Sequence, residues 1–135
     1  MKLFVDTGAF IALADADDEN HKSAAASYRN AREKGTRFIT TNFVVCETLN
    51  YLRARISHHI AVLFLENLKK SGVIEIATVT ASVEEEAFTI FNRYTDKDFS
   101  FTDCTSFSMM RSLKLKNAFA FDKHFEQFEG IRRLP

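Results

Sequence analysis

The chain has 135 residues, of which 46% are hydrophobic and 27% charged, and its 18 basic residues balance 18 acidic ones. This composition predicts one soluble domain over residues 1–135, large enough to fold without disulfides, so Cys46 and Cys104 are expected to be buried free thiols in a reducing cytoplasm. Zero net charge argues against nonspecific coating of nucleic acid, the apolar runs are too short for a membrane span, and no signal-peptide pattern is present.

Apolar runs alternate with amphipathic segments along the chain. A strand at 2–5 precedes helices at 7–16 and 21–35, and a strand at 37–41 precedes helices at 42–56 and 57–72. A strand at 73–79, a helix at 82–94, a loop at 96–103 and a helix at 104–115 follow. The last predicted elements are a strand at 117–122, a short helix at 123–128 and a strand at 131–135. This alternation favours an α/β fold with a parallel sheet covered on both faces.

Four carboxylates are embedded in apolar sequence, whereas the other acidic residues lie in polar segments such as DADDEN. Asp6 follows the first strand and Asp122 ends the fourth, while Asp103 opens a helix and Glu47 lies within one. Because sites in open parallel sheets form beyond the carboxyl ends of the strands, Asp6 and Asp122 are expected at such a site. Helices that start near this edge can bring Glu47 and Asp103 to it.

Converging carboxylates repel one another, by about 4 kcal/mol for a pair ~4 Å apart at an effective dielectric constant near 20. A hard divalent cation with oxygen ligands, Mg²⁺ or Mn²⁺, relieves that repulsion, and two such ions form the clamp used in phosphodiester hydrolysis. The alternative for Asp6 and Asp103, taken singly, is that each caps the helix that follows it.

The segments FVDTGAFIAL, TTNFVVCETL, DKDFSFTDCTSFSMMRSL and AFAFDKHFEQ resemble the PIN domain in their order and spacing, and most of all the VapC-type toxins of toxin–antitoxin modules. The resemblance spans essentially the whole chain. It implies a metal-dependent ribonuclease with a three-layer α/β/α sandwich around a central, mostly parallel sheet. It also implies that Asp6 and Asp103 are the primary ligands of Mg²⁺ or Mn²⁺, and that Glu47 and Asp122 complete the acidic pocket.

The same family pattern suggests auxiliary residues. Thr102 would place a hydroxyl beside the metal site, although it serves equally well as a helix cap or turn residue. Asp98 belongs to the loop before the third acid, where a solvated surface role is the alternative. Gly8 departs from the Ser or Asn that the family commonly has there, which affects one side-chain contact near the site.

Basic residues near the acids are candidates for substrate contacts. Arg53 and Arg55 follow Glu47 in the same helix and could steer a single RNA strand, with a solvated helix face as the alternative. His124 lies two residues after Asp122 and could contact a substrate phosphate.

Two partners besides RNA are expected. Apolar residues on two consecutive helices predict a homodimer, and the resemblance adds a possible antitoxin protein. These apolar residues are Phe43, Val44, Tyr51, Val62, Phe64 and Leu65.

Two other classes of protein remain as alternatives. One is a PIN-like module that binds a partner and has weak or no nuclease activity. The other is a phosphorylated receiver domain, which is disfavoured because it expects two acids after the first strand, where this chain has only Asp6.

Overall fold

The computed structural model describes residues 1–135 and contains five strands and seven helices. The strands are β1 (Lys2–Val5), β2 (Arg37–Thr41), β3 (Ile74–Ala77), β4 (Asn117–Phe119) and β5 (Arg132–Leu134). The helices are α1 (Thr7–Ala14), α2 (His21–Glu33), α3 (Asn42–Arg55), α4 (His58–Lys70), α5 (Ala81–Arg93), α6 (Phe101–Ser112) and α7 (His124–Gln127).

All five strands are parallel and lie in the order β3-β2-β1-β4-β5. The apolar strand β1 is central, and its Phe4 pairs with Ile39 on one side and Ala118 on the other. Right-handed crossovers place α1–α4 on one face of the sheet and α5–α7 on the other. The predicted three-layer α/β/α architecture is confirmed, and its sheet is entirely rather than mostly parallel.

Phenylalanine side chains fill much of the core on both faces of the sheet. Phe107 of α6 stacks on Phe128 at a centroid distance of 4.5 Å and meets Phe125 edge-on at 5.0 Å. These contacts fix α6 against the segment that follows β4. The core therefore sets the distance between two segments that carry predicted site residues.

Several element boundaries differ from the predicted ones, and two of these differences concern predicted site residues. Strand β4 ends at Phe119, so Asp122 lies three residues beyond the strand and not at its end. Helix α6 begins at Phe101, because the Ser100 side chain accepts a hydrogen bond from the backbone N–H of Asp103 and caps the helix there. Asp103 is consequently inside the first turn of α6.

The structure also bears on the expected burial of both cysteines and on the expectation that no segment spans a membrane. Cys104 is buried, as predicted, but the prediction is wrong for Cys46, which is exposed on α3. None of the helices combines the length and the apolarity needed to cross a bilayer.

Candidate functional site

A cleft of about 340 Å³ lies at the carboxyl edge of the sheet and brings together the four predicted acids. They come from separate elements: Asp6 follows β1, Glu47 lies on α3, Asp103 on α6, and Asp122 in the segment after β4. The complete lining is Asp6, Thr7, Gly8, Ile11, Glu47, Asp98, Ser100, Asp103, Asp122 and His124. We refer to it below as the acidic cleft.

Asp6 is the most buried of these acids, with only 4% of its surface exposed. Its backbone N–H donates to the carbonyl oxygen of Phe119 at 3.1 Å, which continues the pairing of β1 with β4. The residue occupies the N-cap position of α1, but its side chain makes no capping hydrogen bond. The capping role considered for Asp6 is therefore not seen.

The Asp6 carboxyl is held in an unfavourable environment for a charge. Its Oδ1 atom is buried without a hydrogen-bond partner, as is the hydroxyl oxygen of the neighbouring Thr7. Burial raises the pKa of Asp6 from 3.8 to about 8; the charges of Asp103, Glu47 and Asp122 add to the shift, and a hydrogen bond from the Thr7 N–H opposes it. A cation bound beside Oδ1 would compensate the charge of this buried carboxylate.

Asp103 both takes part in capping the N-terminus of α6 and lines the acidic cleft. Its Oδ2 atom accepts a hydrogen bond from the backbone N–H of Ser100 at 3.0 Å, so the two residues form a capping box. Burial raises the pKa of Asp103, while hydrogen bonds from Ser100 and His124 oppose that shift. Capping and cation binding, posed as alternatives for Asp103, are thus compatible in one side chain.

Asp122 and His124 lie on a short segment between β4 and β5. The backbone N–H of His124 donates to Oδ1 of Asp122 at 2.9 Å, which folds the segment into a tight turn. The His124 ring places Nδ1 3.0 Å from Oδ2 of Asp103 and 3.2 Å from Oδ1 of Asp122. The sequence interpretation missed this contact, although the two-residue spacing from Asp122 offered a hint of it.

Glu47 and Thr102 border a second cleft of about 510 Å³. Glu47 is half-buried and lines both clefts, whereas Thr102 lines only the second. The remaining lining residues are Asn42, Phe43, Cys46 and Asn50. Thr102 therefore does not line the acidic cleft, while Asp98 is exposed and lines that cleft itself.

The structure does not bring Arg53 and Arg55 to the acids. Arg53 lies six residues beyond Glu47, which is about 9 Å along the helix axis, and its guanidinium contacts His58. Arg55 lies over the ring of Tyr51 at 5.8 Å. Both arginines are exposed at the far end of α3.

The donor atoms of the acidic cleft fit a divalent cation. Ligand atoms of Asp103, Asp122 and His124 all lie within 4.8 Å of one another, and the residue that carries the unpartnered Oδ1, Asp6, lines the same cleft. Carboxylate oxygens are the ligands that Mg²⁺ and Mn²⁺ prefer.

Comparisons with known proteins agree with this architecture. The PIN domain family model matches residues 3–131. The 23S rRNA-specific endonuclease VapC20 of Mycobacterium tuberculosis is 36% identical over 133 residues, covering 98% of both chains. The VapC ribonuclease of Archaeoglobus fulgidus is 34% identical over 127 residues, which are 93% of this chain and 80% of that one.

A solved structure gives the same result in three dimensions. The crystal structure of M. tuberculosis VapC20, described as a sarcin–ricin loop cleaving toxin, matches with a TM-score of 0.89 and 32% identity. The match covers 98% of this chain and 99% of that one. The chain therefore belongs to the PIN domain family, among its VapC-type members.

Proposed function

We propose that this protein is a metal-dependent ribonuclease that hydrolyses RNA phosphodiesters and acts as the toxin of a toxin–antitoxin module. The observation that carries the proposal is the acidic cleft, where four elements converge and the buried Oδ1 of Asp6 has no partner. The names of the relatives support it, since those proteins are an rRNA endonuclease and a ribonuclease.

The site residues divide into cation ligands and supporting residues. Asp6 and Asp103 would hold Mg²⁺ or Mn²⁺ directly, and Glu47 and Asp122 would complete the pocket. Such a cation would supply activation of a water nucleophile and stabilisation of the negative charge that develops on the phosphate. Asp98 lies at the rim, where its charge helps to retain cations.

The chain's own residues orient the reaction. The capping box fixes the Asp103 carboxylate, and the turn at Asp122 fixes the second carboxylate beside it. Water attacks the phosphorus atom and gives up a proton, the bond from phosphorus to the 3′ oxygen breaks, and that oxygen takes up a proton from solvent. The products therefore carry a 5′-phosphate and a 3′-hydroxyl.

RNA reaches the acids along the second cleft, which adjoins the acidic cleft at Glu47. Asn42 and Asn50 offer amide groups to bases there, Thr102 offers a hydroxyl, and Arg53 and Arg55 lie farther along α3 for contacts with the strand beyond. Because one relative cleaves the sarcin–ricin loop, ribosomal RNA is the substrate proposed for this chain.

The test is cleavage of ribosomal RNA by the purified protein with Mg²⁺, with Mn²⁺ and with chelator. Wild type should cleave only with metal, and Asp6→Asn should be inactive in all three conditions. Asp17→Asn, which removes an exposed carboxylate from the loop before α2, is the matched control and should cleave like wild type. Activity in chelator, or products with 2′,3′-cyclic phosphate ends, would refute the mechanism.

The proposed homodimer interface is an aromatic patch on α5. Of the residues behind the sequence prediction, Val44 is fully buried in the core, whereas Tyr51 and Val62 are 40% and 38% exposed. Phe88 and Phe91 are more exposed still, at 45% and 50%, and both pack against Phe101. An apolar surface of this kind is typical of a protein interface.

Light scattering tests the dimer. Wild type should have twice the mass of the chain at micromolar concentration, and Phe91→Lys should have the mass of one chain. Leu113→Lys is the control, because Leu113 is 41% exposed but lies at the opposite end of α6 from Phe101. A monomeric wild type contradicts the proposal.

The proposed antitoxin site is an apolar groove of about 410 Å³ between α1, α2 and α4. Phe10 and Leu13 of α1, Tyr28 of α2 and Leu63 of α4 line it. The same helix α1 carries Ile11, which lines the acidic cleft, so a segment bound in the groove contacts an element of the site. A neighbouring gene should encode a small DNA-binding protein that copurifies with wild type but not with Leu63→Glu.

We place the protein in the cytoplasm, where ribosomal RNA is accessible. The two cysteines support this location, because both are free thiols in the structure.

A further inference from the structure

The imidazole of His124 introduces a nitrogen atom into a cleft whose acidic side chains are all carboxylates. Its Nδ1 atom is 3.0 Å from Oδ2 of Asp103 and 3.2 Å from Oδ1 of Asp122. The side chain is only 18% exposed, so the ring is held within the protein and does not extend into solvent.

These separations match those between neighbouring ligands of one octahedral cation. Ligands about 2.1 Å from such an ion stand about 3.0 Å from their nearest neighbours around it. A hydrogen bond has a similar length, so a spectroscopic measurement has to separate the two roles.

Three contacts fix the His124 ring and its two carboxylate neighbours relative to one another. Phe99 packs edge-on against it at a centroid distance of 5.5 Å. The backbone N–H of His124 is bonded to Asp122, so the imidazole and that carboxylate are fixed relative to each other. The Ser100 N–H fixes Oδ2 of Asp103 on the other side.

Asp6 supplies an independent reason to expect a cation in this cleft. Its Oδ1 atom is buried, lacks a hydrogen-bond partner and belongs to a residue that lines the same cleft. A cation shared with this oxygen would give it the partner that the protein does not provide.

We propose that Nδ1 of His124 is a direct ligand of the catalytic cation, which makes the site a mixed nitrogen–oxygen site that favours Mn²⁺ over Mg²⁺. The inference rests on the proposed metal-dependent function and adds a ligand to it. Its chemical basis is that imidazole nitrogen suits transition metals, whereas Mg²⁺ requires oxygen ligands.

Electron spin-echo spectroscopy of the Mn²⁺-loaded wild type tests the proposal directly. The echo should show modulation from a directly bound ¹⁴N nucleus, and growth on ¹⁵N-histidine should replace it with the ¹⁵N pattern. Bound Mn²⁺ without nitrogen modulation overturns the inference and leaves the proposed function intact. Failure of wild type to bind Mn²⁺ overturns the inference, and failure to bind either Mn²⁺ or Mg²⁺ overturns the proposed function as well.

Calorimetric titration of two variants gives a second readout. His124→Gln should weaken Mn²⁺ binding at least about tenfold and Mg²⁺ binding less, because glutamine replaces the nitrogen with an amide oxygen. The control is His21→Gln, since His21 contacts the Ala12 carbonyl oxygen at 2.7 Å and lies outside the acidic cleft. Equal losses for both ions in His124→Gln, or no loss, contradict the inference.

Discussion

Replacing Asp6 with asparagine should abolish a pH dependence of stability that the wild type shows without metal. The pKa of this carboxyl rises from 3.8 to about 8 on folding, chiefly because the group is buried. Between those two values the folded protein binds a proton that the unfolded chain has released. The contribution of Asp6 to stability is therefore fully present below pH 4 and is lost as the pH rises toward 8.

The slope follows from proton linkage. One proton taken up on folding lowers the free energy of unfolding by about 1.4 kcal/mol per pH unit, or about 3 kcal/mol between pH 5 and pH 7. The amide side chain of the Asp6→Asn variant has a similar shape but no titrating proton, so this contribution disappears. A buried amide without a partner adds a cost of about 1–3 kcal/mol that does not change with pH. The slope, and not the stability at one pH, is therefore the quantity to compare.

Urea unfolding followed by circular dichroism, in chelator at pH 5, 6 and 7, measures this slope. The free energy of unfolding of wild type minus that of Asp6→Asn should fall by about 3 kcal/mol from pH 5 to pH 7. The corresponding difference between wild type and Asp17→Asn should stay constant. Because Asp6 is mainly protonated over this range, asparagine in its place presents Asp103 with a similarly uncharged side chain, so the contribution of Asp103, whose pKa is also raised, cancels in the difference. If the free energies of unfolding of wild type and Asp6→Asn change in parallel with pH, the argument for a buried, unpaired Asp6 carboxyl is refuted.

Three further predictions concern the cation, the helix cap and the core. Mn²⁺ at a hundred times its dissociation constant should stabilise wild type by about 2.7 kcal/mol in urea unfolding and should leave Asp6→Asn unchanged. Asp103→Ala should lose about 1 kcal/mol in chelator because the capping box is broken, while Asp103→Asn should lose less; equal thermal melts of the two variants would contradict this. Phe107→Ala should lower the free energy of unfolding by about 3–5 kcal/mol, because the ring is fully buried against Phe125 and Phe128. A loss below about 1 kcal/mol, measured by urea unfolding, would show that the core relaxes around the missing ring.

The convergence of the acids was predictable because functional sites in open parallel sheets form beyond the carboxyl ends of the strands. Asp6 follows a buried strand, so the location of its carboxylate follows from topology. Glu47 and Asp103 were selected because they are embedded in apolar sequence on helices that begin near this edge, and the structure brings both to the acidic cleft. What the pattern alone could not give was the burial of Asp6, which depends on how the elements around it pack together.

The details that sequence reasoning missed depend on side-chain direction. Spacing along α3 put Arg53 near Glu47, but the helix carries it about 9 Å away from the acids. The contact of His124 with two carboxylates depends on a turn formed by its own backbone N–H. Val44 shows the same limitation, because an apolar residue expected at an interface proved to be fully buried.

The position of β1 in the sheet also determines when the site can form during folding. Strand β1 is the first element of the domain, yet one of its two neighbours is β4, so that Phe4 pairs with Ala118. Contacts between residues so distant along the chain are slow to form, because the loop between them must first be closed. Until they form, one edge of β1 is unpaired and open to association with other chains. Asp6 and Asp122 are separated until the same event, so a partly folded molecule lacks the complete acidic cleft, and we expect it to be inactive if that cleft is the nuclease site.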